Sequence, residues 1–329
     1  SGSRAAIAGG ITSVFEMPNT NPPTSSRSEF SNKLKLAKNR MYCNYAFYFG
    51  ATANNHKELS DLQDLEGCCG IKLFAGSSTG NLLVEREEDI EKVFQNSSKI
   101  VSVHSEDEEI LNIRKKLIKE GDVQTHPVWR NEECAISSTR KIVKIAERLN
   151  KKAHILHVTT KEEVDFLSQN KGNITFEITP QHLTFYAPDC YEKLGTYAQM
   201  NPPIREKYHQ KELWAGLKDG TIDCIATDHA PHTIEDKERD IMHSPCGMIG
   251  LESAFGLSHK ILSSHGISSE NIIDWFTVGP ASVLEWEISP FRINQKAEIA
   301  VIDLDKNSPL FVNSDCVNNG FFNIFLRII

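Results

Sequence analysis

The sequence predicts an α/β fold: a (β/α)8 TIM-type barrel lacking its first strand, with the remnant of a small flanking β domain. Three observations lead there. Short apolar runs alternate with helical stretches, the pattern of a parallel sheet buried on both faces. Seven such runs fall within about 230 residues, one short of a barrel of typical size. Almost every run ends in Asn, Lys, His or Asp, whereas a doubly wound open sheet would usually gather its ligand groups at one switch point.

The elements follow in order. The chain opens in Ser-Gly-Ser-Arg-Ala-Ala-Ile-Ala-Gly-Gly, which reads as the body of a helix and its glycine stop. Strands are expected over residues 11–17, 43–49, 70–74, 100–104, 153–158 and 174–179, and in the run Asp223-Cys224-Ile225-Ala226-Thr227-Asp228. Helices are expected over 28–41, 56–65, 87–95, 106–120, 132–149, 161–169, 250–262 and 270–276. After Ile288 the pattern changes, and residues 297–304 read as a strand outside the barrel. Residues 318–329 show no interpretable pattern. The expected division is a barrel over 1–287 and a partial β segment over 288–329.

Composition bounds the function. The chain has 329 residues, 40% hydrophobic and 24% charged, with a net charge of −8. That charge, with no basic stripe, argues against a nucleic-acid partner. No apolar run approaches the roughly 20 residues that span a bilayer, and no basic-then-apolar leader opens the chain. The eight cysteines (43, 68, 69, 134, 190, 224, 246 and 316) include no CxxC pair. Several lie in apolar runs, as reduced core residues of a cytoplasmic protein would.

The chemistry is expected where strands end, because the C-terminal mouth of a parallel barrel holds its active site. Asn19, Lys72, His104, His157, Asp228 and His232 all fall at such ends. Two imidazoles and a carboxylate from separate strands suit a borderline metal such as zinc. A histidine inside an apolar run is more often a satisfied core residue than a ligand. His154 is the example, since alternation points it away from the face of His157. Asp228 alone could simply cap the following turn. Lys72 in an apolar strand is costly unless paired or neutralised, and spacing alone favours a salt bridge beneath the mouth.

Four stretches carry a resemblance: Met17-Pro18-Asn19-Thr20, Glu177-Ile178-Thr179-Pro180-Gln181-His182, Asn201-Pro202-Pro203-Ile204-Arg205 and Ala226-Thr227-Asp228-His229-Ala230-Pro231-His232. Together, in this order over roughly residues 1–305, they resemble the class I-like dihydroorotases of the amidohydrolase superfamily. The resemblance implies a barrel of the metal-dependent hydrolase kind, binding one or two zinc ions. It implies reversible cyclisation of N-carbamoyl-L-aspartate to (S)-dihydroorotate in de novo pyrimidine biosynthesis. His104 and His157 resemble the ligands of one zinc, and Asp228 a ligand that also acts as general base and acid. Lys72 matches a strand where some relatives carry a carbamylated, metal-bridging lysine. Asn19 and His232 match contacts to the substrate carboxylate. Asn201, Cys246 and Gly247 match contacts to the ring amide edge.

The resemblance has a gap. The His-x-His metal motif that the family carries on its first barrel strand occurs nowhere in this chain. The strand count is one short at the same end. Both point to a segment missing before Ser1, and the 329 residues alone are expected to bind zinc weakly and turn over little substrate. A fragment is favoured over a degenerate homologue because Asp228, His104 and His157 are kept. Three rivals stand beside the main reading: allantoinase, dihydropyrimidinase, and a silent dihydroorotase-like scaffold. A homodimer or an association with aspartate transcarbamoylase is the expected assembly.

Overall fold

A computed structural model describes residues 2–78, 82–288 and 298–304, and the backbone of 326–327. Seven parallel strands form one sheet in sequential order. They are β1 (Ser13–Glu16), β2 (Asn44–Gly50), β3 (Cys68–Phe74), β4 (Val101–His104), β5 (Ala153–Ile155), β6 (Ile174–Ile178) and β7 (Cys224–Ile225). Sequential parallel order with a helix or 3-10 turn in each crossover is the arrangement of a (β/α)8 barrel. Five strands fall within the stretches that the sequence marks out; β2 runs one residue past its stretch, to Gly50, and β3 begins two residues before its own, at Cys68.

One face of the strands from β2 to β7 is apolar and packs into the core. Ile71 and Leu73 of β3, Val101 and Val103 of β4, Ala153 and Ile155 of β5, and Phe176 of β6 share a single core with Ile142, Val143 and Ala146 of the helix Glu132–Arg148. Alternation then sends the intervening residues inward. Register confirms the layer: Lys72 pairs with Ser102, Ser102 with His154, and His154 with Thr175. Here the barrel interior is polar. The Ser102 hydroxyl donates to the Tyr48 hydroxyl across 3.3 Å. A side chain at Gly70 would put its Cβ 2.8 Å from the Tyr48 ring, so the ring occupies the place a side chain would take.

The last helices tie the two ends of the sheet together. Helix Val278–Val283 lies so close to β7 that a Cβ at Gly279 would stand 2.4 Å from the Asp223 carbonyl oxygen. Beyond it, the Trp286 ring meets Phe15 of β1 edge-on, with centroids 5.4 Å apart.

Three expectations change. The helix expected over 106–120 runs only from Glu108 to Arg114, followed by a 3-10 turn. Asp107 caps it through the amides of Glu109 and Ile110, leaving Glu106 to the strand end. The stretch 56–65 is a 3-10 helix, His56–Leu62. A 12-residue helix, Lys207–Lys218, lies where the sequence predicts none; its buried face includes His209 and Gln210, which dilute the apolar period. In the C-terminal segment, Val301–Ile302 pairs antiparallel with Leu326–Arg327. Most of the rest of 288–329, Cys316 included, lies outside the described residues.

Candidate metal and substrate site

His104, the last residue of β4, and His157, two residues past β5, bring their rings together. His104 Nδ1 lies 3.1 Å from His157 Nε2. His157 adopts a left-handed backbone, φ +39°, and so does Asp228, also φ +39°, just past β7. That conformation costs a non-glycine residue on the order of 1–3 kcal/mol and tends to persist at functional positions. It also defeats the alternation argument. His154 lies on the interior face with Lys72 and Ser102, because His157 stands outside the strand over which alternation holds. His154 is nonetheless satisfied: Nδ1 meets Thr175 Oγ1 at 2.9 Å and Nε2 meets Glu177 Oε2 at 3.0 Å.

Behind His104 stands a carboxylate to which the sequence assigns no role. Glu106 Oε2 lies 2.9 Å from His104 Nε2. The same carboxylate accepts from Arg130 Nε at 3.2 and 3.1 Å and from Arg130 Nη2. Burial opposes its ionisation, but the Arg130 guanidinium and His104 hold Glu106 well below the usual carboxylate range. An ionised Glu106 accepts only, so His104 carries its proton on Nε2 and keeps a lone pair on Nδ1. Burial lowers the pKa of both His104 and His157, leaving neutral rings. His157 Nδ1 is buried with no hydrogen-bond partner among the described residues.

Lys72 and Asp228, the other two residues expected at the site, act on one another electrostatically. Burial draws the Lys72 amine down to about 7 against the pull of Asp228 and Glu177. Burial, then Glu177, push Asp228 up to about 6 against Lys72. The Lys72 charge is also felt at His104 and His157. Lys72 Nζ is buried, lies 4.1 Å from the Phe74 ring centroid, and has no hydrogen-bond partner among the described residues. The salt bridge that spacing favours is therefore not formed as a hydrogen-bonded contact.

These groups fit a metal ion. Two neutral imidazoles converge beside an orphaned buried amine that can be neutralised or derivatised. Among the described residues the Asp228 carboxylate does not come within 4.8 Å of both rings, so the three do not form a preassembled ligand group. A second donor group lies in the interior: one ligand atom each from His154, Glu177 and Cys224, all within 4.8 Å of one another. It suits a metal less well, because both His154 nitrogens are already bonded and burial pushes the Cys224 thiol well up.

The residues expected to hold substrate form a second constellation. His232 Nε2 lies 3.3 Å from the Cys246 carbonyl oxygen. The Gly247 amide donates to the Gln199 carbonyl at 2.9 Å, two residues before Asn201. Asn201 Oδ1 is buried without a partner among the described residues. Two neutral histidines clamp its flanks: His126 Nε2 meets the Met200 carbonyl at 2.9 Å and His182 Nε2 meets the Pro202 carbonyl at 3.1 Å. Asn19 lies half-buried on the loop after β1, at the far end of the strand order from β7. Sequence reasoning misses Glu106, Arg130, His126 and His182 as supports. Glu106, two residues from His104 at a strand end, and His182, at the end of the stretch 177–182, carry a local signal; Arg130 and His126 carry none.

A polar-cored parallel α/β barrel with imidazole, carboxylate and amine groups near the C-terminal ends of its strands is the architecture of a class of barrel hydrolases. The chain matches the amidohydrolase family over residues 1–323 and belongs to it. It is 33% identical over 319 residues to a dihydroorotase of Methanosarcina mazei, a match covering 92% of this chain and 69% of that protein. It is 36% identical over 270 residues to a dihydroorotase of Methanosarcina acetivorans, covering 78% of this chain and 57% of that one. Among solved structures, the L-hydantoinase (dihydropyrimidinase) from Arthrobacter aurescens aligns with a TM-score of 0.81 and 26% identity. That alignment covers 86% of this chain and 65% of the hydantoinase.

Proposed function

We propose that the chain, with residues 1–287 forming its barrel, belongs to a zinc-dependent dihydroorotase that interconverts N-carbamoyl-L-aspartate and (S)-dihydroorotate. The likeness to dihydroorotases at 31–36% identity supports this reading. The observation that carries it is the 3.1 Å approach of His104 Nδ1 to His157 Nε2, with the charge of buried Lys72 felt at both rings and at Asp228.

Zinc held by His104, His157, Asp228 and a carbamylated Lys72 would polarise the ring carbonyl and acidify water. The protein's own part is proton transfer and orientation. Asp228, at about 6, is matched to taking a proton near neutral pH and returning it to the amide nitrogen as the ring opens. Burial keeps His232 largely neutral, so it and the Asn19 amide recognise a carboxylate without adding a fixed charge. Asn201 Oδ1, held between the clamped Met200 and Pro202 carbonyls, can accept the ring N–H. A cytoplasmic location and assembly as a homodimer or with aspartate transcarbamoylase go with this reading. Among the described residues no helix is long and apolar enough to cross a membrane.

The hydantoinase likeness favours one second reading, another cyclic amide as substrate. Turnover of dihydroorotate, dihydrouracil, hydantoin and allantoin by the zinc-loaded full-length protein separates the two. Dihydroorotate should lead in kcat/KM by about a hundredfold, the discrimination expected of a site built around a carboxylate. Equal or better opening of an uncharged ring would overturn the proposal. A full-length protein that opens none of the four and co-purifies with the transcarbamoylase would establish the scaffold instead.

A further inference from the structure

Lys237 ends the short helix Ile234–Lys237, in the segment that leaves β7, and is 5% exposed. Its ammonium donates to three carbonyl oxygens from two separate stretches: Gln199 at 3.1 Å, Pro245 at 3.0 Å and Gly247 at 3.1 Å. A lysine has three donors, and all three are used. Gln199 completes the knot. Its carbonyl also accepts the Gly247 amide at 2.9 Å. Its side-chain Nε2 donates to the Ile241 carbonyl at 3.0 Å and to the Ser244 carbonyl at 3.4 Å, and lies 3.3 Å from Cys246 Sγ. The Lys237 carbonyl in turn accepts from Thr196 Oγ1 and, at 3.3 Å, from Ser244 Oγ.

No carboxylate hydrogen-bonds the Lys237 ammonium among the described residues, and burial draws its pKa down to about 8. A surface lysine would avoid that desolvation cost. What the buried cation does is fasten two arms to one another. One runs through Gln199 to Asn201, the other through Pro245 to Cys246 and Gly247.

We propose that Lys237 and Gln199 are positioning residues that fix the spacing between the Asn201 arm and the Cys246–Gly247 arm, and thereby how tightly the substrate ring is held. The inference rests on the proposed assignment of those two arms to the ring edge. It concerns no group bound to metal.

The test uses the full-length, zinc-loaded protein and the variants Lys237→Met, Lys237→Arg and Gln199→Ala. Lys237→Met keeps the volume and removes the donors. It should raise KM for dihydroorotate about tenfold while kcat stays within about threefold, with metal content unchanged. Lys237→Arg, which keeps a charged donor, should recover most of the loss. Hydrogen exchange at the Gly247 amide should quicken in Lys237→Met, with the barrel strands still protected. Should Lys237→Met fail to fold, Gln199→Ala carries the same expectations, since it removes only the side-chain contacts. An unchanged KM, or loss of kcat and metal in step with KM, would overturn the proposal, as would unaltered exchange at Gly247. If the parent protein opens hydantoin or dihydrouracil rather than dihydroorotate, the assignment of substrate falls. The KM split on that ring and the Gly247 exchange then decide the positioning role separately.

Discussion

His104 Nδ1 and His157 Nε2 stand 3.1 Å apart, brought together from adjacent strand ends although 53 residues separate them in the chain. The contact has a built-in orientation. Glu106, ionised by Arg130, fixes the proton of His104 on Nε2 and turns Nδ1 toward His157. The carboxylate, the imidazole and the prospective metal ligand atom thus form one line.

Glu106→Gln should therefore weaken metal binding. The amide can no longer serve as a charged acceptor for His104 Nε2–H, and Arg130 loses its buried counter-ion. Such partners behind a ligand typically matter by about 10–100-fold in metal affinity. Competition with a chromogenic chelator measures it. An affinity equal to that of the parent would mean that His104 is oriented by other contacts.

Lys72 should react with carbon dioxide when zinc is present. Its amine sits at about 7 and has no hydrogen-bond partner among the described residues, so a neutral nucleophilic fraction exists at physiological pH. Loading with zinc under ¹³C-bicarbonate should give a carbamate carbon resonance that vanishes in Lys72→Met. A free amine at Lys72 in the zinc-loaded protein would remove Lys72 from the ligand set.

Acid should destabilise the fold through His126 and His182, independently of metal. Burial lowers them to about 3 and about 4 from an ordinary 6.5. The unfolded chain therefore binds protons first as pH falls. Their destabilisation is absent above about 6.5, grows as pH drops through that value, and levels off only below the folded pKa values. Each tenfold difference in proton affinity between the unfolded and folded chain is worth about 1.4 kcal/mol, so the two rings together remove roughly 5 kcal/mol between about pH 6.5 and 4. Urea unfolding of the metal-free protein near neutral pH and again in mild acid checks this, and His126→Asn should lose less over that interval. A parent whose stability is flat across it would contradict the assignment of neutral, buried rings.

Gly247→Ala should damage substrate binding. A Cβ there would stand 2.6 Å from Ala230 Cβ, 2.7 Å from the Ala230 carbonyl oxygen and 2.9 Å from His232 Nε2, at φ +154°. Both the strain and the clash disturb the turn that contacts His232. A stability loss of about 2 kcal/mol is expected, with a KM increase larger than the fall in kcat. Thermal unfolding and steady-state kinetics report both. Parent-like KM would place Gly247 outside the ring site.

Much of the architecture is legible in the sequence because it is local. Ile71 and Leu73 bracketing Lys72, or Val101 and Val103 preceding His104, mark a buried strand and its end without reference to any other part of the chain. The helix Lys161–Gln169 is legible to the residue, because its capping box, Thr160 with Glu163, is a pattern of neighbours. The helix Lys207–Lys218 is not, since buried His209 and Gln210 look polar until their partners are known. Alternation assigns His154 to the wrong face because nothing local announces that β5 stops at Ile155 and that His157 turns to a positive φ.

Local patterning alone is enough to put His104, His157 and Asp228 at or just past strand ends and Lys72 within its strand. Hydrophobic periodicity is a property of consecutive residues and needs no folded context. The chemical state of those residues comes from folding. The proton position on His104, the lowered amine of Lys72 and the fastening of Gly247 to Gln199 by Lys237 depend on charges and donors brought from distant parts of the chain. Burial and Coulomb interaction act through space, and a one-dimensional pattern carries no distances.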